Sequence, residues 1–444
     1  MEPIGRRRFF HDSAALTAAL AALEVATAGT QAEAAEEAPA KPVGPNDAIR
    51  IAVIGVKGRG LDHVAGLMVQ PDARVTTICD VDSQVIGKAK GLLTVKNGTE
   101  PKFVQDLRRV FDDKEIDAVS IATPNHWHAL ATIWACQAGK DVYVEKPVSH
   151  NVSEGRRMVE AARKYGRIVQ AGTQCRSQQG LIDAIEFVRS GKIGTVYMAK
   201  GLCYKPRGSI GVGKEGPVPE GLDYDLWTGP AEMRPFNANK LHYNWHWIWN
   251  TGNGDLGNQG IHQMDVARWG LGKSEFPKSV QTSGGRYGYK DDGETPNTEL
   301  SAFEFDDAML QFEVRGLPTN DEMGVKIGNI FYGTEGVVAI TGYDTWQSYL
   351  GPKLEKGPGG KGRGDHYRNF LDGVASRDPK TLRGDIEEGH LSSAYCHLGN
   401  IAYRLGRKLA INPSSESFVG DAEADAMLTR EYRAPFVVPA AGKV

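Results

Sequence analysis

A chain of 444 residues, 41% hydrophobic and 24% charged, is long enough for two or three domains, each burying its own core. A formal net charge of −3 leaves no basic footprint for nucleic acid, and near-average apolar content excludes disorder as the dominant state. Five cysteines without a C-x-x-C pair exclude a disulfide scaffold and a cysteine-based zinc site.

The chain begins with a basic run, Arg6-Arg7-Arg8, followed by Phe9 and Phe10 and an Ala/Leu stretch from Ala14 to Leu23. Ala32 and Ala34 offer an A-x-A cleavage site, so residues 1–35 read as a secretory signal. Arg6 to Phe10 resembles a twin-arginine signal, which implies export to the periplasm or beyond. Residues 36–47 are a Pro-rich, charged linker. No later run reaches the ~18 apolar residues of a membrane span.

Residues 48–172 read as a dinucleotide-binding domain. An apolar strand leads into Gly55-Val56-Lys57-Gly58-Arg59-Gly60, and a helix-period segment follows. Strand, glycine turn and helix together place a pyrophosphate at the helix N-terminus. Asp80, 25 residues after Gly55, ends the second strand, where a carboxylate accepts from ribose hydroxyls and repels a 2′-phosphate. NAD is therefore expected over NADP. The fingerprint departs at Lys57, where glycine is usual. Further strands and helices alternate as far as RIVQAG, implying a parallel, doubly wound sheet. Its strand ends gather Thr123, Pro124, Asn125, His128, Glu145, Lys146 and Gln174 as cofactor-binding candidates with the glycine turn and Asp80.

Residues 173–444 change pattern. A helix is expected over 179–190, then long alternating runs such as TVYMAKGLCY, TELSAFEF and AMLQFEVRG. Consecutive strands without helices between them predict a large, mostly antiparallel open sheet in an α+β domain. Residues 205–235 are Gly/Pro-rich and read as a long functional loop. Helices over 365–375 and 386–407 pack either on this sheet or on the first domain. Four of the eight tryptophans fall between Trp245 and Trp269, where they serve either a pyranose face or the core. His126 with His128, or His242 with His246, offers a metal pair, but no carboxylate at helical spacing joins the second, and no metal is expected.

AVIGVKGRG with ICDVD, the strand end YVEKP, and GDLGNQGIHQMD together resemble the Gfo/Idh/MocA oxidoreductase family. The resemblance covers nearly the whole mature chain and is nearest to exported, sugar-active members. It implies a Rossmann domain joined to an α/β domain with an open sheet, and a homo-oligomer, dimer or tetramer. It places Lys146 between nicotinamide and substrate, holding the reacting hydroxyl, and His262 as the general base. Many polyol dehydrogenases of the family carry Asp four residues before that histidine; here Asn258 stands there, leaving Asp255 or Asp265 to balance the imidazole. Lys146, His262, Asp265 and Asn258 are thus the catalytic candidates. Arg176, Tyr204, Tyr243, Trp245, His246, Asn258 and His262 are the substrate-binding candidates.

The expected activity is hydride transfer between NAD(P) and a sugar, polyol or glycoside hydroxyl. Free NAD is scarce outside the cytoplasm, so an exported enzyme must hold its cofactor tightly. Two alternatives stand beside it: a redox-neutral glycoside hydrolase or lyase working by oxidation and elimination, and a sugar-binding protein of the same fold without turnover.

Overall fold

The computed structural model describes residues 48–444. The signal and linker assignments lie outside the described residues. Six strands form the first sheet: β1 (Ile49–Ile54), β2 (Ala73–Cys79), β3 (Lys102–Val104), β4 (Ala118–Ile121), β5 (Asp141–Val144) and β6 (Val169–Ala171). They pair in parallel in the order β3-β2-β1-β4-β5-β6. Every residue of β4, β5 and β6 is buried, as a parallel sheet with helices on both faces requires. The order reverses between β1 and β4, which opens a crevice at the carboxyl ends of those strands.

Ten strands form the second sheet. They are β7 (Val196–Cys203), β8 (Ser279–Gly285), β9 (Thr298–Glu304), β10 (Met309–Arg315), β11 (Ile327–Gly333), β12 (Gly336–Ile340), β13 (Thr345–Leu350), β14 (Glu355–Lys361), β15 (Leu409–Asn412) and β16 (Ser417–Phe418). The order is β14-β13-β12-β11-β7-β10-β9-β8-β15-β16, and every pairing is antiparallel except β7 with β10. The α/β fold class with a doubly wound sheet and a mostly antiparallel second sheet is therefore borne out.

Period-two alternation decides which side chains of this sheet meet the helices. On β10, Leu310, Phe312 and Val314 are buried against the helical layer, while Met309, Gln311, Glu313 and Arg315 alternate with them. Helix Gly260–Leu271 covers the central strands β7, β10 and β11, and helix Ile386–Leu405, capped by Asp385 at one end and by Gly406 in the left-handed conformation at the other, covers β8. The helix His366–Ser376 returns to the first domain. Its Phe370 and Leu371 join Ile51, Val53 and Val64 in one core, and Tyr367 lies flat over Gly66, where a Cβ would overlap the ring. Phe436, Val438 and Val444 also pack on the Rossmann core, so late segments of the chain clamp the first domain from outside.

Candidate active site

The glycine turn builds the floor of a cleft of about 620 Å³ at the switch point. Gly55 has φ +84°, and a Cβ there would press on the Ala122 carbonyl at 2.8 Å. A Cβ on Gly60 would overlap the Gly55 carbonyl oxygen, so this glycine sets how closely helix Arg59–Met68 meets β1. Gly58 differs: a Cβ there meets nothing within 4 Å, leaving open space at a helix start that no side chain caps. Free N–H groups beside that space suit a pyrophosphate. The donor set thus fits a dinucleotide. Lys57 is exposed at the rim, near the charges of Asp80 and Asp82, and leaves the floor clear.

Asp80 ends β2 on the cleft wall. Its carboxylate accepts from the N–H of Val56 at 2.8 Å and of Asp82 at 3.0 Å. Burial pushes Asp80 up to about 6, against the pull of those two N–H bonds. Ribose hydroxyls donating to it favour the ionised form. NAD binding should therefore weaken as pH falls through 6, because the carboxylate must lose its proton to accept. Calorimetric titration across pH 5–8 reads this, and Asp80→Asn should flatten the dependence; a wild-type affinity constant across that range would remove Asp80 from the ribose.

A strap from the second domain crosses the same wall. Gln105 donates to the carbonyls of Val81 (2.8 Å) and Gly221 (3.0 Å), and the Ser83 N–H donates to Gly221 at 3.0 Å. His242 Nε2 lies 3.3 Å from Asp82. Leu222, Trp227, Phe236 and Leu241 give the strap its own small core, so this Gly/Pro-rich stretch is ordered by apolar burial.

Lys146 follows β5, and its ammonium donates to the Asn258 carbonyl at 2.8 Å. Burial lowers its pKa, while Glu145 pulls the other way. Asn258 ends the short helix Gly254–Asn258; the next helix, Gly260–Leu271, carries His262 in its first turn. Burial, then the charge of Lys146, holds His262 well below its ordinary value, so its imidazole is neutral at pH 7. The chain thus brings together, from separate domains, the Lys146 ammonium on the cleft wall and the neutral His262 imidazole, which lies within range of the ammonium's charge. Tyr243, Trp245 and His246 line the cleft with Lys146 and Asn258. The Trp245 and His246 rings stack with centroids 3.6 Å apart.

Two family descriptions match this chain. One, an oxidoreductase family with an NAD-binding Rossmann fold, covers residues 49–173; the other, the family's C-terminal alpha/beta domain, covers residues 200–294 and 339–438. The chain belongs to the Gfo/Idh/MocA oxidoreductase family. An inositol 2-dehydrogenase from Salmonella paratyphi B is 30% identical over 158 residues, 35% of this chain and 46% of that protein. A glycosyl hydrolase family 109 protein from Shewanella pealeana is 30% identical over 175 residues, 36% of this chain and 37% of that protein. The chain therefore matches less than half the length of these curated relatives. The WlbA dehydrogenase of Bordetella pertussis, solved with NADH and UDP-GlcNAcA, shares the fold with a TM-score of 0.62 at 18% identity, covering 82% of this chain and 99% of that one.

Within this Gfo/Idh/MocA frame several expected site residues stand elsewhere. Arg176 is buried and donates to Asp265 at 2.8 and 3.0 Å and to Glu388 at 2.9 Å, so its fork faces the interior and not a substrate. That ion pair also takes Asp265 away from His262. Tyr204 continues the parity of Leu202 and reaches the sheet face away from the helices, where its hydroxyl donates to Glu313 at 2.7 Å. Asn125 donates to Asn253 at 2.5 Å, and Gln174 donates to Tyr143 and Glu145, so both brace the cleft from behind. Glu145 and His128 line the cleft and also hold it: the Glu145 carboxylate accepts from Arg59 at 2.8 Å and Gln174 at 2.9 Å, with His63 at 3.0 Å, while His128 lies between the carbonyls of Pro147 and Thr123. Burial, the largest single influence, opposes ionisation of Glu145, but the charge of Arg59, the hydrogen bond and charge of His63 and the charge of Lys146 together outweigh it and keep this carboxylate well below its ordinary range.

Asp255, the other possible partner for His262, is bound by Arg207 at 2.6 and 3.2 Å. No carboxylate contact of His262 occurs among the described residues; its Nδ1 lies 4.0 Å from the Cys175 sulfur and its ring meets Tyr343 edge-on at 5.5 Å. Tyr343 and Gln259, hydrogen-bonded at 2.7 Å, are site neighbours that sequence reading missed. Tyr343 sits in a Gly-Tyr-Asp turn with no periodic signal to single it out.

Proposed function

We propose that the protein is an NAD-dependent oxidoreductase that transfers hydride at a hydroxyl-bearing carbon of a sugar, polyol or glycoside. The observation that carries this reading is the Lys146 ammonium on the cleft wall, 2.8 Å from the Asn258 carbonyl, with His262 within range of its charge. NAD, when bound, supplies the hydride acceptor and donor. Lys146 hydrogen-bonds the reacting hydroxyl oxygen and stabilises negative charge growing there. His262, neutral at pH 7, takes the hydroxyl proton. Trp245 and His246 present stacked rings to a pyranose face. Asp80 and Asp82 on one wall disfavour a 2′-phosphate and favour NAD over NADP.

The strap over β2 supports a cofactor held through the catalytic cycle. That retention suits an exported enzyme, the reading that residues 6–34 suggest and cell fractionation tests. A homo-oligomer, paired through the sheet face away from the helices, completes the proposal; light scattering of the purified protein reads it.

One feature favours a second reading, redox-neutral cleavage of a glycoside. His262 lacks the carboxylate partner of a simple alcohol dehydrogenase, because Asn258 is neutral and Asp255 is committed to Arg207. The purified protein, loaded with NAD, should be mixed in turn with sugars, polyols and chromogenic glycosides. Net reduction of nicotinamide supports the first reading. Aglycone release without net reduction selects the second. Sugar binding with neither signal rejects both and leaves a binding protein.

A further inference from the structure

A second cavity, of about 340 Å³, lies outside the nucleotide cleft. Its walls come from five places: residues 150–151 leading into helix Val152–Lys164, Arg234, the loop 249–253, helix Ile386–Leu405 and the tail segment 426–430. Arg234, Arg404 and Arg430 all line it. Arg234 is paired with Glu232 at 2.8 Å and faces Glu294 at 3.7 Å. Arg404 and Arg430 have no carboxylate in contact among the described residues.

Of the two guanidinium groups, Arg430 is held by hydrogen bonds and Arg404 rests on an aromatic ring. Arg404 lies over the Trp249 ring, 5.3 Å from its centroid. Arg430 donates to the carbonyl oxygen of Asn250 at 2.9 Å and to its side-chain oxygen at 2.7 Å. The other titratable groups nearby do not cancel this charge. Burial holds His150 well below its ordinary value and pushes His397 down to about 3, so both are neutral. Glu154 sits behind the wall, raised by burial to about 7, and its carboxylate accepts from the His150 N–H and the Asn151 amide. Burial lowers Arg404, opposed by Glu294, and lowers Arg430, where Arg234 adds to it and Glu154, Tyr432 and Glu232 oppose it; none of these groups is in ion-pair contact with either arginine. Arg430 also lies 3.3 Å from His150 Nδ1, which leaves its Nε and one Nη N–H uncommitted among the described residues. These and the Arg404 guanidinium line one cavity and match the oxygens of an anion, and the cavity is within the size range of small-molecule sites.

We propose that this cavity binds a small oxyanion, the carboxylate or phosphate group of a small metabolite, between Arg404 and Arg430. The bound anion bridges the tail segment to helix Ile386–Leu405, beside the loop whose Asn253 accepts from Asn125 behind the nucleotide cleft.

The test is calorimetric titration of the full-length, NAD-saturated protein, so that the pyrophosphate site is occupied. The probes are inorganic phosphate and D-gluconate, each in a chloride background of matched ionic strength. Saturable one-site binding of either probe is expected, and which probe binds tells phosphate from carboxylate. Arg404→Ala should weaken that binding by about tenfold or more, the loss expected for a charge-assisted pair. Arg404 is exposed and makes no hydrogen bond among the described residues, so the variant should fold; an unchanged melting curve without anion checks this, and Arg404→Gln provides a second variant. Absence of saturable binding by both probes, or binding equal in wild type and both variants, overturns the proposal.

Discussion

Lys146→Ala is expected to lower kcat by about a hundred- to a thousandfold, the usual cost of removing one fixed donor from a growing oxyanion. The loss belongs in kcat because the ammonium acts on charge that exists only in the transition state. Bound NAD should survive, since the open space at Gly58 and the Asp80 carboxylate, proposed to meet pyrophosphate and ribose, do not depend on this side chain. Quantifying the nicotinamide released on denaturation checks that point beside the kinetics. The pH profile supplies an independent reading. Burial lowers the lysine, so activity should fall on the alkaline side below the ordinary lysine range, as the charge is lost. On the acid side His262, held well below its ordinary value, should stay competent at a pH where a free histidine is already protonated. Wild-type turnover in Lys146→Ala would falsify the assigned role.

Local patterns made the first domain legible. A strand, a glycine turn and a helix occupy one short stretch, and the steric needs of Gly55 and Gly60 arise within that stretch and its neighbouring strand. Lys146 and His262 stand out for the same reason, since each lies in a compact motif at the end of an element. Misplaced residues are those whose partners arrive from far along the chain. Arg176 reads as a substrate residue because it follows a strand end, yet Glu388, which claims its fork, comes from a helix more than two hundred residues later. Tyr204 depends on sheet parity: Ala199 and Cys203 join the core under the helices, while Leu202 and Tyr204 join the cluster on the opposite face. Sequence gives the alternation without saying which face borders the cleft. β14 carries no strand signal, because EKGPGGK holds glycines and a proline that read as a turn, although backbone pairing with β13 orders it. His246 and Tyr243 were visible as an aromatic run, but only the strap's packing brings them to the cleft.

Asp265→Ala is expected to destabilise the fold by about 3–5 kcal/mol, the range seen when one partner of a buried ion pair is removed. Asp265 is fully buried. It accepts from Arg176 Nε at 2.8 and 3.0 Å and from Ser392 at 2.7 Å, and Arg268 lies 3.9 Å away. Glu388 bonds both arginines from the other side, so two guanidinium groups share two carboxylates. Without Asp265, one carboxylate faces two buried cations, and Ser392 loses its acceptor. Urea unfolding should show a lower midpoint, and Asp265→Asn, which keeps the shape and one acceptor, should fall between wild type and alanine. The double variant Arg176→Met with Asp265→Leu removes both charges together and should recover much of the loss, because no ion is left unpaired. A catalytic Asp265 would behave in the opposite way: Asp265→Asn would unfold like wild type but lose kcat. The geometry predicts the reverse, since the carboxylate is held by Arg176 inside the second domain and His262 takes its proton-accepting state from burial and the Lys146 charge. Measuring kcat per folded, NAD-loaded molecule separates the two outcomes. If turnover collapses while the urea midpoint stays at the wild-type value, Asp265 belongs to the chemistry and the ion-pair account of this residue fails.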